Sequence, residues 1–111
     1  MSSHPERRKH ARIRIDQMIE LQFGQEQFIR SEGIDLSLTG ILCTCADQVD
    51  PQTRIYLLFT VPVGEDTLEV QCDGIVVRSM KKKNHYDVAI RFTDISPSSR
   101  EAIEKFLEHV G

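Results

Sequence analysis

The chain has 111 residues, 40% hydrophobic and 28% charged, a composition that fits one globular domain and excludes disordered, fibrous and two-core architectures. Its formal charge of −3 hides an asymmetry, because Arg7, Arg8, Lys9, Arg12 and Arg14 share the N-terminal segment with one acid, Glu6, while most of the remainder is acidic. An acidic body lacks the broad positive field used to bind DNA or RNA, whereas a concentrated basic arm suits a small anionic ligand.

No apolar leader follows Met1, and the longest apolar stretch, Ile55 to Val63, is interrupted by Tyr56 and Thr60. It is far short of the roughly 20 residues that span a bilayer, so the expectation is a cytoplasmic protein without membrane insertion. Cys43, Cys45 and Cys72 are odd in number and lack the spacing of a disulfide framework. Cys43 and Cys45 read better as small apolar side chains on one strand face than as a metal-binding fragment.

In chain order, the basic segment 1–12 is expected to form a flexible arm. Ile13, Ile15, Ile19, Leu21 and Phe23 follow a period of two and predict a half-buried strand. Gly24-Gln25 predicts a hairpin turn, and Gln27 to Asp35 the return strand. Thr39-Gly40 marks a turn before Ile41, Cys43 and Cys45 alternate again. After the Asp50-Pro51 loop, Ile55, Leu57, Phe59 and Val61 share a face, with Pro62 expected to end that strand. Leu68, Val70 and Cys72 continue the pattern until Gly74, which predicts a bulge or sharp bend. The run Lys81-Lys82-Lys83 beside Asn84 predicts a turn, and Tyr86, Val88, Ile90 and Phe92 form the last strand face. A helix closes the chain, begun by Ser96 as N-cap with Pro97 at the first helical position, or by Ser98 and Glu101 as a capping box. Ile103, Phe106, Leu107 and Val110 make its apolar stripe, which needs cover from the barrel or from a partner. About six short strands without intervening helices predict a small antiparallel β-barrel or sandwich, an all-β fold over 13–95 with a helix over 96–111.

Two segments look unlike scaffold. In Arg7-Arg8-Lys9-His10-Ala11-Arg12, the guanidinium groups of Arg8 and Arg12 offer planar forks for phosphate oxygens and for the O6/N7 edge of guanine. By itself such a run also fits a solvated tail. In Asp35-Leu36-Ser37-Leu38-Thr39-Gly40, Asp35 can accept from the N–H donors of a guanine and Ser37 can donate and accept. Gly40 is expected to permit a positive φ and close approach of a ligand. By itself this segment also fits ordinary turn chemistry.

Together the segments resemble the PilZ family, whose paired motifs are RxxxR in an N-terminal arm and (D/N)xSxxG at a strand turn. Arg8 and Arg12 match the first, and Asp35, Ser37 and Gly40 the second. Asp73 to Arg78 and Val88 to Asp94 look like the family's later strands. The resemblance implies a six-stranded antiparallel barrel with a C-terminal helix that binds cyclic di-GMP, a bacterial second messenger, on its outer surface. It further implies that Arg8 and Arg12 clasp guanine edges and phosphates, that Asp35 and Ser37 read a guanine, and that Gly40 keeps the turn open. Arg7, just before the first motif, is associated in the family with a stacked pair of ligand molecules. Lys9 and Arg78 are secondary candidates for phosphate contact. The expected role is a receptor without a cofactor that changes conformation on binding and signals to a protein partner. The alternative is an adaptor acting by protein contact without nucleotide.

Catalysis is not expected, since His4, His10, His85 and His109 are scattered and no HExxH, phosphate loop or nucleophile elbow occurs. Nor does the chain offer stacking platforms for a nucleic-acid strand, with no Trp and 6% aromatic residues.

Overall fold

The structure is a computed structural model that describes residues 13–15, 18–23 and 29–110. The basic arm carrying Arg7, Arg8, Lys9 and Arg12, and the Gly24-Gln25 turn, lie outside the described residues. Among the described residues there are seven strands and one helix: β1 (Ile13–Arg14), β2 (Met18–Phe23), β3 (Ile29–Leu36), β4 (Gly40–Cys45), β5 (Arg54–Val63), β6 (Asp66–Lys81), β7 (Tyr86–Ile95) and α1 (Pro97–Val110).

Every pairing is antiparallel. The order β3-β2-β5-β6-β7-β4 closes through β4 pairing with β3, which gives a six-stranded barrel with β1 as a two-residue addition to β3. Closure removes the open edges that would otherwise invite aggregation. The side chains with period two point inward: Ile19, Leu21, Leu36, Leu57, Val70 and Val88 have no exposed area. Burying each such side chain contributes about 1.5–3 kcal/mol, which makes this interior the main source of stability.

Where alternation predicts one strand from Ile13 to Phe23, the structure forms two. β1 ends at Arg14, paired with Asp35, and β2 starts at Met18, paired with Glu32, so four steps along one side match three along the other. Pro62 does not end its strand either. It pairs with Thr67, one step before the tight Val63–Asp66 hairpin. Val63 and Asp66 flank a two-residue turn, which makes the odd-numbered positions of β5 the donors to β6. The missing N–H of Pro62 therefore falls on the opposite flank, where, among the described residues, no ladder pairing with β2 reaches beyond Leu58.

Gly74 behaves as expected. The β6–β7 register shifts between Asp73 and Gly74, and a methyl there would lie 2.6 Å from Ile90 Cγ2 and 3.0 Å from the Arg91 carbonyl oxygen. The lysine-rich turn closes with Lys82 N–H donating to the His85 carbonyl at 2.8 Å.

Of the two helix starts open in the sequence, the structure uses Ser96. Its hydroxyl accepts the Ser99 N–H at 3.2 Å and Pro97 is the first helical residue. Helix α1 lies on β5 and β6, burying Ala102, Ile103 and Phe106, so the barrel itself covers Ile103 and Phe106 of the apolar stripe. Among the described residues, no helix is long and apolar enough to cross a membrane.

Candidate functional site

The segment from Asp35 to Gly40 joins β3 to β4 by a two-residue turn. Ser37 N–H donates to the Gly40 carbonyl at 3.0 Å, the Ser37 hydroxyl accepts Thr39 N–H at 3.3 Å, and that hydroxyl also approaches the Gly40 carbonyl at 3.3 Å. Such bonding fixes the turn's shape. The Ser37 side chain is buried and spends part of its hydrogen-bonding capacity on its own loop.

Gly40 differs from expectation. Among the described glycines only Gly64 has a positive φ, at 64°. What Gly40 requires is space: it pairs with Arg91 of β7, and a Cβ on it would collide with the Ile90 carbonyl oxygen. The motif glycine therefore serves strand packing, because β4 and β7 approach too closely for a side chain.

Two β-bulges aim the polar groups of the site. The β3–β4 register shifts between Gly33 and Asp35, leaving Asp35 opposite Leu42 on the outer face while Leu36 points inward. The β6–β7 register shifts between Val76 and Arg78, so buried Val76 faces Ile90 and exposed Arg78 faces Ala89. Strict alternation from Val76 would send Arg78 into the core, and the extra residue, Val77, turns it out. The pairings Asp35–Leu42, Leu42–Ala89 and Ala89–Arg78 make one row across the outside of the barrel. Three inter-strand steps separate Asp35 from Arg78, about 14 Å along the sheet.

Between them runs a shallow groove, lined by Asp35, Ser37, Gly40, Val77, Arg78 and Arg91 among others. Its hollow is about 170 Å³, below the roughly 300–1,000 Å³ of pockets that engulf a drug-sized ligand. A ligand here lies on the barrel rather than inside it. Among residues whose side chains are described, no ion pair engages Arg78 or Arg91, in contrast to Lys82 with Asp87 and Arg100 with Glu104. Two exposed guanidinium groups thus face the groove without an ion pair to those side chains, and their planar forks suit the oxygens of an anion.

The structure brings together Asp35, Ser37, Gly40 and the secondary candidate Arg78. Arg7, Arg8, Lys9 and Arg12 lie outside the described residues. The described chain next to them is anchored: β1 sets Arg14 opposite Asp35, with Arg12 two residues earlier in the sequence. Sequence reasoning missed Arg91 and Val77. Arg91 is one of several outward residues on an alternating strand, and only the pairing with Gly40 marks it. Val77 is the one large hydrophobic side chain exposed among the described residues, at 45%, and it owes that to the bulge.

A second groove, at the Gly74 bulge, is lined by Arg54, Tyr56, Asp73 and Asp94 and contains none of the motif residues. His85 does have a carboxylate partner, since its Nε2 lies 3.0 Å from Asp87 Oδ1 at the β6–β7 turn. Among the described residues no three His, Cys, Asp or Glu side chains gather as a metal site would require.

Comparison with known proteins agrees with this architecture. The Bacillus subtilis inhibitor of motility (MotI/DgrA) has a similar structure, with a TM-score of 0.78 at 17% sequence identity. The match covers 87% of this chain and 47% of that one, so the chain spans about half the length of that structure. No curated protein sequence matches the chain significantly. The family model for the PilZ domain matches residues 6–109, nearly the whole length and both motif segments. The chain belongs to the PilZ domain family.

Proposed function

We propose that this protein is a receptor for cyclic di-GMP, which it binds in the groove between Asp35 and Arg78. The observation that carries the reading is the convergence of the turn motif with two unpaired arginines from other strands on one outer row of the barrel. Cyclic di-GMP is long, flat and doubly anionic, with a guanine at each end. A row of about 14 Å with an acceptor at one side and guanidinium groups at the other suits its length and its polarity. A lone phosphate would leave Asp35 without a role.

In this reading Asp35 accepts the N–H donors of one guanine, and Arg78 and Arg91 attract phosphate. Arg8 and Arg12 approach from the arm, which enters the barrel at the strand paired with Asp35. Five cations in one segment repel each other, and two phosphates relieve that repulsion. Binding therefore favours an arm closed over the ligand. A protein partner that distinguishes the closed arm from the open one converts binding into a signal. Arg7 supplies the additional contact for a second, stacked ligand molecule. A receptor for an intracellular messenger works in the cytoplasm, performs no catalysis and needs no cofactor.

Calorimetric titration with cyclic di-GMP tests the reading, run beside Arg8→Ala and Asp35→Ala variants whose folding is checked by circular dichroism. Saturable binding that both variants weaken supports it, and a ratio of two ligands per chain supports the role given to Arg7. Absence of heat and of chemical-shift change at high ligand concentration overturns it in favour of an adaptor that acts by protein contact.

A further inference from the structure

The two outer grooves of the barrel carry opposite charge. In the groove between Asp35 and Arg78, the guanidinium groups of Arg78 and Arg91 outnumber one carboxylate. In the groove at the Gly74 bulge the balance reverses, and Asp73 and Asp94 outnumber Arg54 around a hollow of about 540 Å³. Asp73 of β6 pairs directly with Asp94 of β7, just before the ladder shifts at Gly74. Both are exposed, and like charges placed opposite each other on neighbouring strands repel. Among residues whose side chains are described, no ion pair engages Asp73, Asp94 or Arg54. A cation laid between the two carboxylates relieves their repulsion.

We propose that this acidic groove is the docking face for the chain's own basic segment, residues 1–12, when no ligand is bound. Release of the segment rests on cyclic di-GMP as the ligand of the other groove; its docking does not. The segment carries Arg7, Arg8, Lys9 and Arg12 against the single acid Glu6. It joins the barrel at Ile13, which pairs with Leu36. Because β1 runs antiparallel to β3, its N-terminal end points to the Ser37–Thr39 turn. That turn abuts the acidic groove, since the Phe92 N–H donates to the Thr39 carbonyl at 2.9 Å and the next two residues, Thr93 and Asp94, line the hollow.

The distance suits the segment. Ile13, Leu36, Ile41 and Ile90 are successive partners across four strands, three inter-strand steps or about 14 Å in all. Asp94 follows Ile90 by four residues along β7, about 13 Å further at right angles, which puts it roughly 20 Å from Ile13 across the surface. Arg7 precedes Ile13 by six residues, an extended reach of about 20–22 Å. Tethering makes the contact intramolecular, so ion pairs that are weak one by one act together. The groove holding Arg78 and Arg91 repels the same segment until an anion fills it. Two phosphates reverse its sign and draw the segment across.

Backbone amide resonances of the full chain, recorded without ligand, test the docking. Arg7→Gln/Arg8→Gln/Lys9→Gln should shift the resonances of Asp73, Gly74, Thr93 and Asp94. If these resonances do not respond to the triple variant, the proposal is overturned. Adding cyclic di-GMP to wild type should move the same resonances in the same direction. In calorimetry, Asp73→Asn/Asp94→Asn should strengthen cyclic di-GMP binding about two- to tenfold, because the competing resting place is gone. Glu101→Gln/Glu108→Gln removes equal charge from the exposed face of α1 and should strengthen binding less. Equal gains from the two pairs would trace the effect to net charge and overturn the competition between grooves. If wild type binds no cyclic di-GMP while the triple variant still shifts the acidic groove, the docking stands and the receptor role falls.

Discussion

Gly40 lies so close to the backbone carbonyl of Ile90 that even a methyl group has no room. The obstacle is main chain within a paired strand, so it cannot swing aside as a side-chain tip would. Gly40→Ala should cost about 1–3 kcal/mol of stability, the range for overpacking a tight interior. A lowered denaturant midpoint with unchanged slope is the expected reading. Unchanged stability with lost ligand binding would return the glycine to a direct role in recognition.

Arg91 faces the groove from the residue opposite Gly40. Arg78→Ala and Arg91→Ala should each weaken cyclic di-GMP binding by roughly 1–3 kcal/mol, that is by 5-fold to 150-fold or so. Binding by wild type should fall as salt rises, and less steeply in either variant, because part of the screened attraction is gone. Calorimetry at three salt concentrations checks both points.

Ser99 ties the helix to the barrel: the Gln71 N–H on β6 donates to its hydroxyl at 2.9 Å, and Ser99 is itself buried. Ser99→Ala leaves that N–H without its partner beneath α1, at a cost of about 1–3 kcal/mol. In a domain of this size the thermal midpoint should drop by several degrees for each kcal/mol lost, about 4–8 °C in the smaller domains for which the scaling is known. Thermal unfolding followed by circular dichroism at 222 nm reads the change.

Burial pushes the Cys72 thiol up to about 12 from an ordinary 9.0. The folded protein thus keeps a proton that the unfolded chain releases above pH 9. The contribution to stability is complete below pH 9 and is lost as pH rises from about 9 to about 12, at up to about 1.4 kcal/mol per pH unit. Urea unfolding at stepped pH should show wild type losing stability faster than Cys72→Val over that interval. Parallel curves would mean that the thiol is not differentially protonated.

Periodicity made the barrel legible. Alternation at Ile55, Leu57, Phe59 and Val61, and again at Leu68, Val70 and Cys72, reports burial on one side only, a local property written residue by residue. The helix start was legible for the same reason, since a Ser-Pro pair at a helix N-terminus satisfies its own neighbours. Pro62 misled because proline is tolerated wherever the missing N–H faces no partner, and that depends on where β2 stops. Gly40 misled because the demand for glycine came from β7, about fifty residues along the chain.

The sequence by itself determined the all-β class, the inward faces of the strands, the terminal helix and the motif pair that marks the family, because each is encoded in neighbouring residues. Only the tertiary structure decided which side Asp35 and Arg78 occupy and that Arg91 joins them. Those placements follow from two register shifts, at Gly33/Asp35 and Val76/Arg78. A single extra residue in a ladder reverses every side chain beyond it, and whether it is present is settled by the partner strand, not by the strand that carries it.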